Sequence, residues 1–224
     1  MNCFKGLKGI EKDIKQGIIK KSIVEFPGES ISSIFKKAIE NLENTIGVFY
    51  IYNKNKKLIY VDYSKDIKNK VVKLFTSKKF IPKYVQNNFK SIKTHKTGNV
   101  EIAILKAIQE IKSLKPKINN NIDPKLFYKI DVPQVISDKK NFIITFSGKK
   151  DDEKGFILFK DCKVIGYGYF DLFNNINTEK KLNSRVVKVD ECKKVKNYVY
   201  RVISEKRYKK LLTLDEIYKF SGIE

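Results

Sequence analysis

The chain has 224 residues, of which 42% are hydrophobic, including 12 Tyr and 15 Phe, and its formal net charge is +22 at pH 7. That content supports a buried core in one large domain or two small ones and argues against wholesale disorder. It holds no apolar run near the ~20 residues a membrane span needs, and Met1-Asn2-Cys3-Phe4-Lys5 lacks a signal-peptide core, so a cytoplasmic protein without a membrane partner is expected.

In chain order, residues 1–44 read as a lysine-rich helical lead-in. Pro27-Gly28 breaks the segment, Ser30 is a candidate N-cap, and Ile31, Ile34, Phe35, Ala38, Ile39 and Leu42 recur at helical spacing. Residues 45–120 form the next unit. Two aromatic-rich runs, Gly47 to Tyr52 and Leu58 to Asp62, flank the polar Asn53-Lys54-Asn55-Lys56 and predict a hairpin. Ser64 is placed to cap a following helix, with Ile67, Val71, Leu74 and Phe75 on one side and Lys65, Lys68, Asn69, Lys70 and Lys73 over much of the rest. A second helix is expected from about Asn99 to Leu114. Its stripe is Val100, Ala103, Ile104, Ala107, Ile108, Ile111 and Leu114, and Pro116 stops it. Glu101 and Glu110 flank that stripe and read as solvated helix positions.

Asn119-Asn120-Asn121 through Pro124 reads as a linker or surface loop. Residues 130–224 then change character. Phe142 to Phe146, Gly155 to Phe159 and Val164 to Phe170 predict strands, with Asp161-Cys162-Lys163 as the turn between the last two. Helices are expected near Glu191 to Ser204 and Lys206 to Phe220, which makes a small α+β unit. The alternation Gly166-Tyr167-Gly168-Tyr169 is compatible with base stacking, but a sheet core is the preferred reading.

The chain as a whole is expected to be α+β: a small antiparallel sheet flanked by helices, followed by a smaller α+β domain. Cys3, Cys162 and Cys192 show no CxxC or Cys/His clustering, and His95 is the one histidine. No structural metal site and no histidine-based triad is expected. Only Arg185, Arg201 and Arg207 are arginines, and enrichment in Lys, Asn and Ile points to an AT-rich genome. Codon bias lowers the meaning of any single lysine, but the summed field still favours a polyanion. Nucleic acid, with DNA favoured, is the expected partner.

The ordered set of Gly47-Val48-Phe49, Tyr60-Val61-Asp62, the basic helix, Gly98 and Lys115-Pro116-Lys117-Ile118-Asn119 resembles the GIY-YIG nuclease superfamily. It resembles especially the form in nucleotide-excision-repair incision nucleases and in DNA polymerase III epsilon-like fusion proteins. It covers about a third of the chain. Gly155 to Leu172 also looks like the region after this module in the fusion proteins, whose leading exonuclease domain and intervening cysteine-bearing segment have no counterpart here.

The resemblance implies a sheet that presents two signature tyrosines, a helix arginine and a metal-binding glutamate. The first tyrosine falls at Phe49, which has no hydroxyl, and the second is retained as Tyr60. The glycine after it is Asp62. The arginine is Lys70, which keeps the charge but not the bidentate fork. A histidine common further along falls at Leu74. The glutamate aligns with Ala107, whose methyl cannot ligate Mg²⁺, and the terminal asparagine survives as Asn119.

The expected function is therefore that of a DNA-binding protein derived from a GIY-YIG nuclease, catalytically degenerate, in DNA replication or repair. Tyr60, Lys70 and Asn119 form the remnant site, and Lys65, Lys68, Lys70, Lys73, Lys115 and Lys117 are the nucleic-acid contacts. No cofactor is expected. One alternative is a metal-dependent endonuclease using Mg²⁺ or Mn²⁺ on ligands rearranged from Asp62, Glu101 or Glu110. Another is a scaffold that binds replication or repair proteins.

Overall fold

The computed structural model describes residues 31–76, 80–119, 122–171 and 176–219. The proposed cap Ser30 and the thiol of Cys3 lie outside these residues. The chain is α+β and is built on two antiparallel sheets. Among the described residues no helix is long and apolar enough to cross a membrane.

The first unit opens with α1 (Ile31–Glu40), then β1 (Gly47–Tyr52) and β2 (Leu58–Ser64), the expected hairpin. Asn53 folds the turn between the strands: its Oδ1 accepts from the Asn55 and Lys57 amides at 3.0 and 2.9 Å. α2 (Ile67–Thr76) follows, but Ser64 is the last residue of β2 and not its cap. Ser64 Oγ instead bonds the Asp66 backbone, and Asp66 Oδ1 accepts the Asn69 amide at 2.9 Å. A carboxylate is the stronger partner for a helix N-terminus.

Two elements of this unit were not read from the sequence: α3 (Phe80–Asn88) and β3 (Ser91–Lys96). β3 completes a sheet of order β2-β1-β3. The chain approaches closely where Gly47 faces this strand, since a Cβ there would lie 2.1 Å from the His95 carbonyl oxygen. Alternation along β1 sorts its residues between two cores. Phe49 and Ile51 join Ile59, Ile67, Val71, Val85 and Phe89 on the α2/α3 side. Val48, Tyr50 and Val61 face α4 (Val100–Leu114). Phe35 pins α1 to the first of these cores, stacked 4.0 Å from Phe75, which in turn meets Phe89 edge-on at 4.9 Å. Each such pair stabilises by about 0.5–1.5 kcal/mol beyond area burial.

α4 starts where the Asn99 side chain accepts the Ile102 amide. It is buried on more than one stripe: Ile102 and Leu105 are as inaccessible as Ala103 and Ala107, whereas Leu114 is 50% exposed. A helix apolar this far round belongs in the middle of a structure. Its second face packs on the sheet of the following unit, within one continuous core that includes Phe142, Ile144, Ile157 and Tyr198. Gly98, at φ 75, lies against the Gly148 backbone at this junction, where a Cβ would be 1.8 Å from the Gly148 oxygen.

A 3₁₀ turn (Pro124–Phe127) and α5 (Gln134–Lys139) lead into β4 (Phe142–Ser147), β5 (Glu153–Lys160) and β6 (Lys163–Asp171). Asp161 and Cys162 connect β5 to β6 with φ of 49 and 63, the left-handed pair that a tight hairpin requires. α6 (Glu179–Ser184), β7 (Val187–Lys188) and α7 (Lys193–Ser204) follow. The helix expected over residues 206–220 is instead β8 (Lys210–Thr213) and α8 (Leu214–Lys219). β8 finds an open edge on β4, opposite Phe142 to Thr145, and the sheet order is β7-β6-β5-β4-β8. Tyr167 is buried in this sheet, and Tyr169 donates its hydroxyl to the Thr97 carbonyl at 3.0 Å. The Gly-Tyr alternation is therefore sheet core.

Candidate functional site

β2 is an edge strand, and the remnant positions gather on it. Asp62 lies directly across from Phe49 in the β1–β2 register, and Tyr60 across from Ile51. The Tyr60 hydroxyl donates to Asp62 Oδ2 at 2.9 Å. Lys70 comes from α2 to the same oxygen, its Nζ 2.7 Å away. The Tyr63 amide donates to the other carboxylate oxygen at 2.8 Å. Lys70 Nζ also donates to the Tyr63 carbonyl at 2.8 Å and lies 4.8 Å from the centre of the Tyr63 ring. Asp62, 8% exposed, thus has an ammonium, a phenol and an amide on one carboxylate. Tyr63 is the participant that sequence reasoning missed. Its backbone does most of its work here, and residue identity carries no signal for that.

Burial raises the Tyr60 phenol well above its ordinary value, and the adjacent Asp62 charge and hydrogen bond raise it further. Phe49 is fully buried, its ring centre 6.1 Å from that of Tyr60. It fills the space without offering a polar atom.

Asn119 is bound to backbone. Its Oδ1 accepts the Val61 amide at 3.1 Å and its Nδ2 donates to the Val61 carbonyl. The side chain stands in for a neighbouring strand where β2 has none. Next to it the Ile118 amide donates to the Ile59 carbonyl at 2.9 Å. Ile59 is the residue skipped in the β1–β2 register, so the bulge frees its carbonyl for this contact.

Ala107 is fully buried inside the shared core. Glu101 and Glu110, expected to be solvated, are not. Glu101 is 8% exposed, with Oε1 3.7 Å from Arg207 Nη1. Burial raises its carboxyl above the usual value, partly offset by Arg207. Glu110 is ion-paired with Lys106, and burial together with its charge raises the Tyr50 phenol. Among the described residues, no three His, Cys, Asp or Glu side chains come together as a group able to hold a metal ion.

The expected nucleic-acid contacts do not form one patch. Lys65 and Lys73 are exposed, Lys68 is half-buried and Lys70 is engaged by Asp62. Lys65 follows Ser64 at one end of β2. Lys117 lies beside Ile59 near the other end, its Nζ 5.7 Å from the Tyr84 ring centre. A strand the length of β2 spans roughly 20 Å.

No family model matches the chain. It is 28% identical over 178 residues to the UvrABC system protein C of Borreliella burgdorferi, a match covering 75% of this chain and 26% of that protein. The protein of the same name from Borrelia garinii subsp. bavariensis is 27% identical over 178 residues with the same coverage. The chain therefore spans about a quarter of the length of the curated relatives it matches. Among solved structures it is similar to the magnesium-bound GIY-YIG N-terminal endonuclease domain of UvrC from Thermotoga maritima. That likeness has 20% identity and a TM-score of 0.35, and covers 39% of this chain and 96% of that one.

Proposed function

We propose that this chain is a DNA-binding protein derived from a GIY-YIG nuclease, that it has lost phosphodiester cleavage, and that it serves DNA repair or replication. The observation that carries this reading is the Asp62 carboxylate, which both Tyr60 and Lys70 address. A phenol acting as general base must first lose its proton, and a neighbouring carboxylate opposes that. An ammonium that is to neutralise a phosphate must be turned toward it, and Lys70 is turned inward to Asp62 and the Tyr63 carbonyl.

Metal chemistry of the family type does not fit the donors present. Ala107 offers a methyl where a carboxylate oxygen is required, and hard divalent cations take oxygen ligands. No step through a metal is therefore assigned. The net charge of +22 supports a polyanionic partner. The similarity to proteins named UvrABC system protein C spans three quarters of the chain and supports the repair setting.

The test combines fluorescence anisotropy on labelled duplex DNA across a salt series with nicking of supercoiled plasmid in Mg²⁺ and in Mn²⁺. The expected result is binding that weakens steeply with salt and no nicking with either metal. Metal-dependent nicking would overturn the loss of cleavage, and a flat salt response would overturn DNA binding itself.

A further inference from the structure

We infer that the phosphate backbone of duplex DNA docks on the end of the first sheet where the β1–β2 turn lies, and not on the Tyr60–Asp62–Lys70 cluster. This rests on the DNA-binding reading above and gives that reading a surface. Three separate stretches of chain bring lysines to this end. Lys54, Lys56 and Lys57 are the turn itself and are exposed. Lys90 enters β3 here, its amide donating to the Tyr52 carbonyl at 2.9 Å. Lys115 caps the end of α4, and Lys117 lies beside the start of β2 through the Ile118–Ile59 bond. Lys93 extends the surface along β3, its Nζ 5.5 Å from the Tyr52 ring centre.

The neighbouring stretches of sequence are poor in acid. Residues 44–61, 67–100 and 111–122 contain no Asp or Glu. On α4 the carboxylate nearest this end, Glu110, is ion-paired with Lys106. At the opposite end of β2 the charges are mixed, with Asp62, Asp66 and Glu101 among Lys65, Lys68 and Lys70. The cationic potential is therefore concentrated at the turn, and concentrated positive potential is what binds a phosphate backbone without reading sequence.

Lys56 has φ 55 and Lys115 φ 46, the left-handed region that favours Gly and tolerates Asn better than Lys; Lys140 and Lys206 in the second unit share it.

The experiment compares two variants that each remove three charges: Lys56→Asn, Lys57→Gln, Lys115→Asn at the turn end, and Lys65→Gln, Lys68→Gln, Lys73→Gln on and beside α2. Duplex binding is followed by anisotropy against salt, and thermal unfolding is recorded on the same samples. Each lost phosphate contact lowers the slope of log K against log salt by about 0.9. The turn-end variant is expected to lose two to three units of slope with a melting temperature equal to or above that of the parent. The α2 variant is expected to lose less than one. Equal losses in both, or none in the turn-end variant, overturn the placement while leaving DNA binding intact. A parent protein that binds a poly-glutamate peptide but no DNA overturns both the placement and the DNA-binding reading.

Discussion

Replacing Asn119 by Ala isolates the one side chain that closes the edge of β2. The substitution removes the acceptor of the Val61 amide, bonded at 3.1 Å, and the donor to the Val61 carbonyl, at a residue with no solvent exposure. A buried backbone group left without a partner costs about 1–3 kcal/mol. Two groups set an upper bound near 6 kcal/mol, but the strand lies at a sheet edge and the truncation opens a path for water. Roughly 2–3 kcal/mol remains. In a chain of this size each kcal/mol lowers the melting temperature by about 2–4 °C, so a fall of roughly 4–12 °C is expected in thermal unfolding, with an unchanged urea m-value. Asn119→Asp separates the two bonds. It keeps an acceptor for the amide but sets a carboxylate against the Val61 carbonyl, so at neutral pH it should cost more than the alanine. Part of that loss should return in acid, where the protonated carboxyl can donate. A loss below about 0.5 kcal/mol for the alanine, or an aspartate as stable as the parent at neutral pH, would refute the role of Asn119 as a strand surrogate.

Ala107→Glu should lower stability by at least about 3 kcal/mol, read by urea unfolding, because it sets an unpaired carboxylate in the core that joins the two sheets. A well-folded variant would show that room for a carboxylate persists on α4. Glu101 gives a pH dependence. Its folded carboxyl is raised by burial above the 4.5 of an ordinary glutamate, so the folded state holds the proton more tightly than the unfolded one. That contribution is complete below about 4.5 and is lost as pH rises through the folded value. Glu101→Gln should therefore gain on the parent as pH climbs from ~4 toward neutrality and converge with it in acid; urea midpoints at several pH values check this, and a gain that grows in acid would reverse the assignment.

The hairpin, the basic helix and α4 were legible because their residues alternate or repeat at a period that one buried face imposes. β3 was not, since Ser91-Ile92-Lys93-Thr94-His95-Lys96 is an edge strand with only Ile92 sheltered, and an exposed edge imposes no apolar period. β8 was hidden for a different reason. Lys210 to Thr213 is a strand because β4 offers it an open edge, and no local pattern in the four residues announces that partner. α4 was read with one buried stripe because the sequence could not show that a second sheet packs on its other side. The same blindness made Glu101 look solvated. At the site, the pairing of Asp62 with a nearby lysine was foreseeable from charge and spacing, whereas the two hydrogen bonds between Asn119 and Val61 depend on a chain reversal that no short window contains.

Ala107 and Asp62 make sense together. A buried phenol and a half-buried ammonium on the same strand–helix junction require an acceptor whether or not the site performs chemistry. In a working nuclease the substrate phosphate can fill that role when it arrives. On the proposed reading, the methyl of Ala107, buried in the core that joins the two sheets, supplies no ligand for a metal. A carboxylate on β2 then supplies from within what a bound anion would, accepting from Tyr60, Lys70 and the Tyr63 amide at once. The junction becomes electrostatically complete in the free protein. A DNA phosphate entering it would have to displace an intramolecular partner that is already desolvated and correctly placed. At the β1–β2 turn the stretches of sequence that contribute lysines, residues 44–61, 67–100 and 111–122, carry no acid. On the proposed reading, the occupied Asp62 cluster and a DNA surface at the turn both follow from where the acidic residues lie.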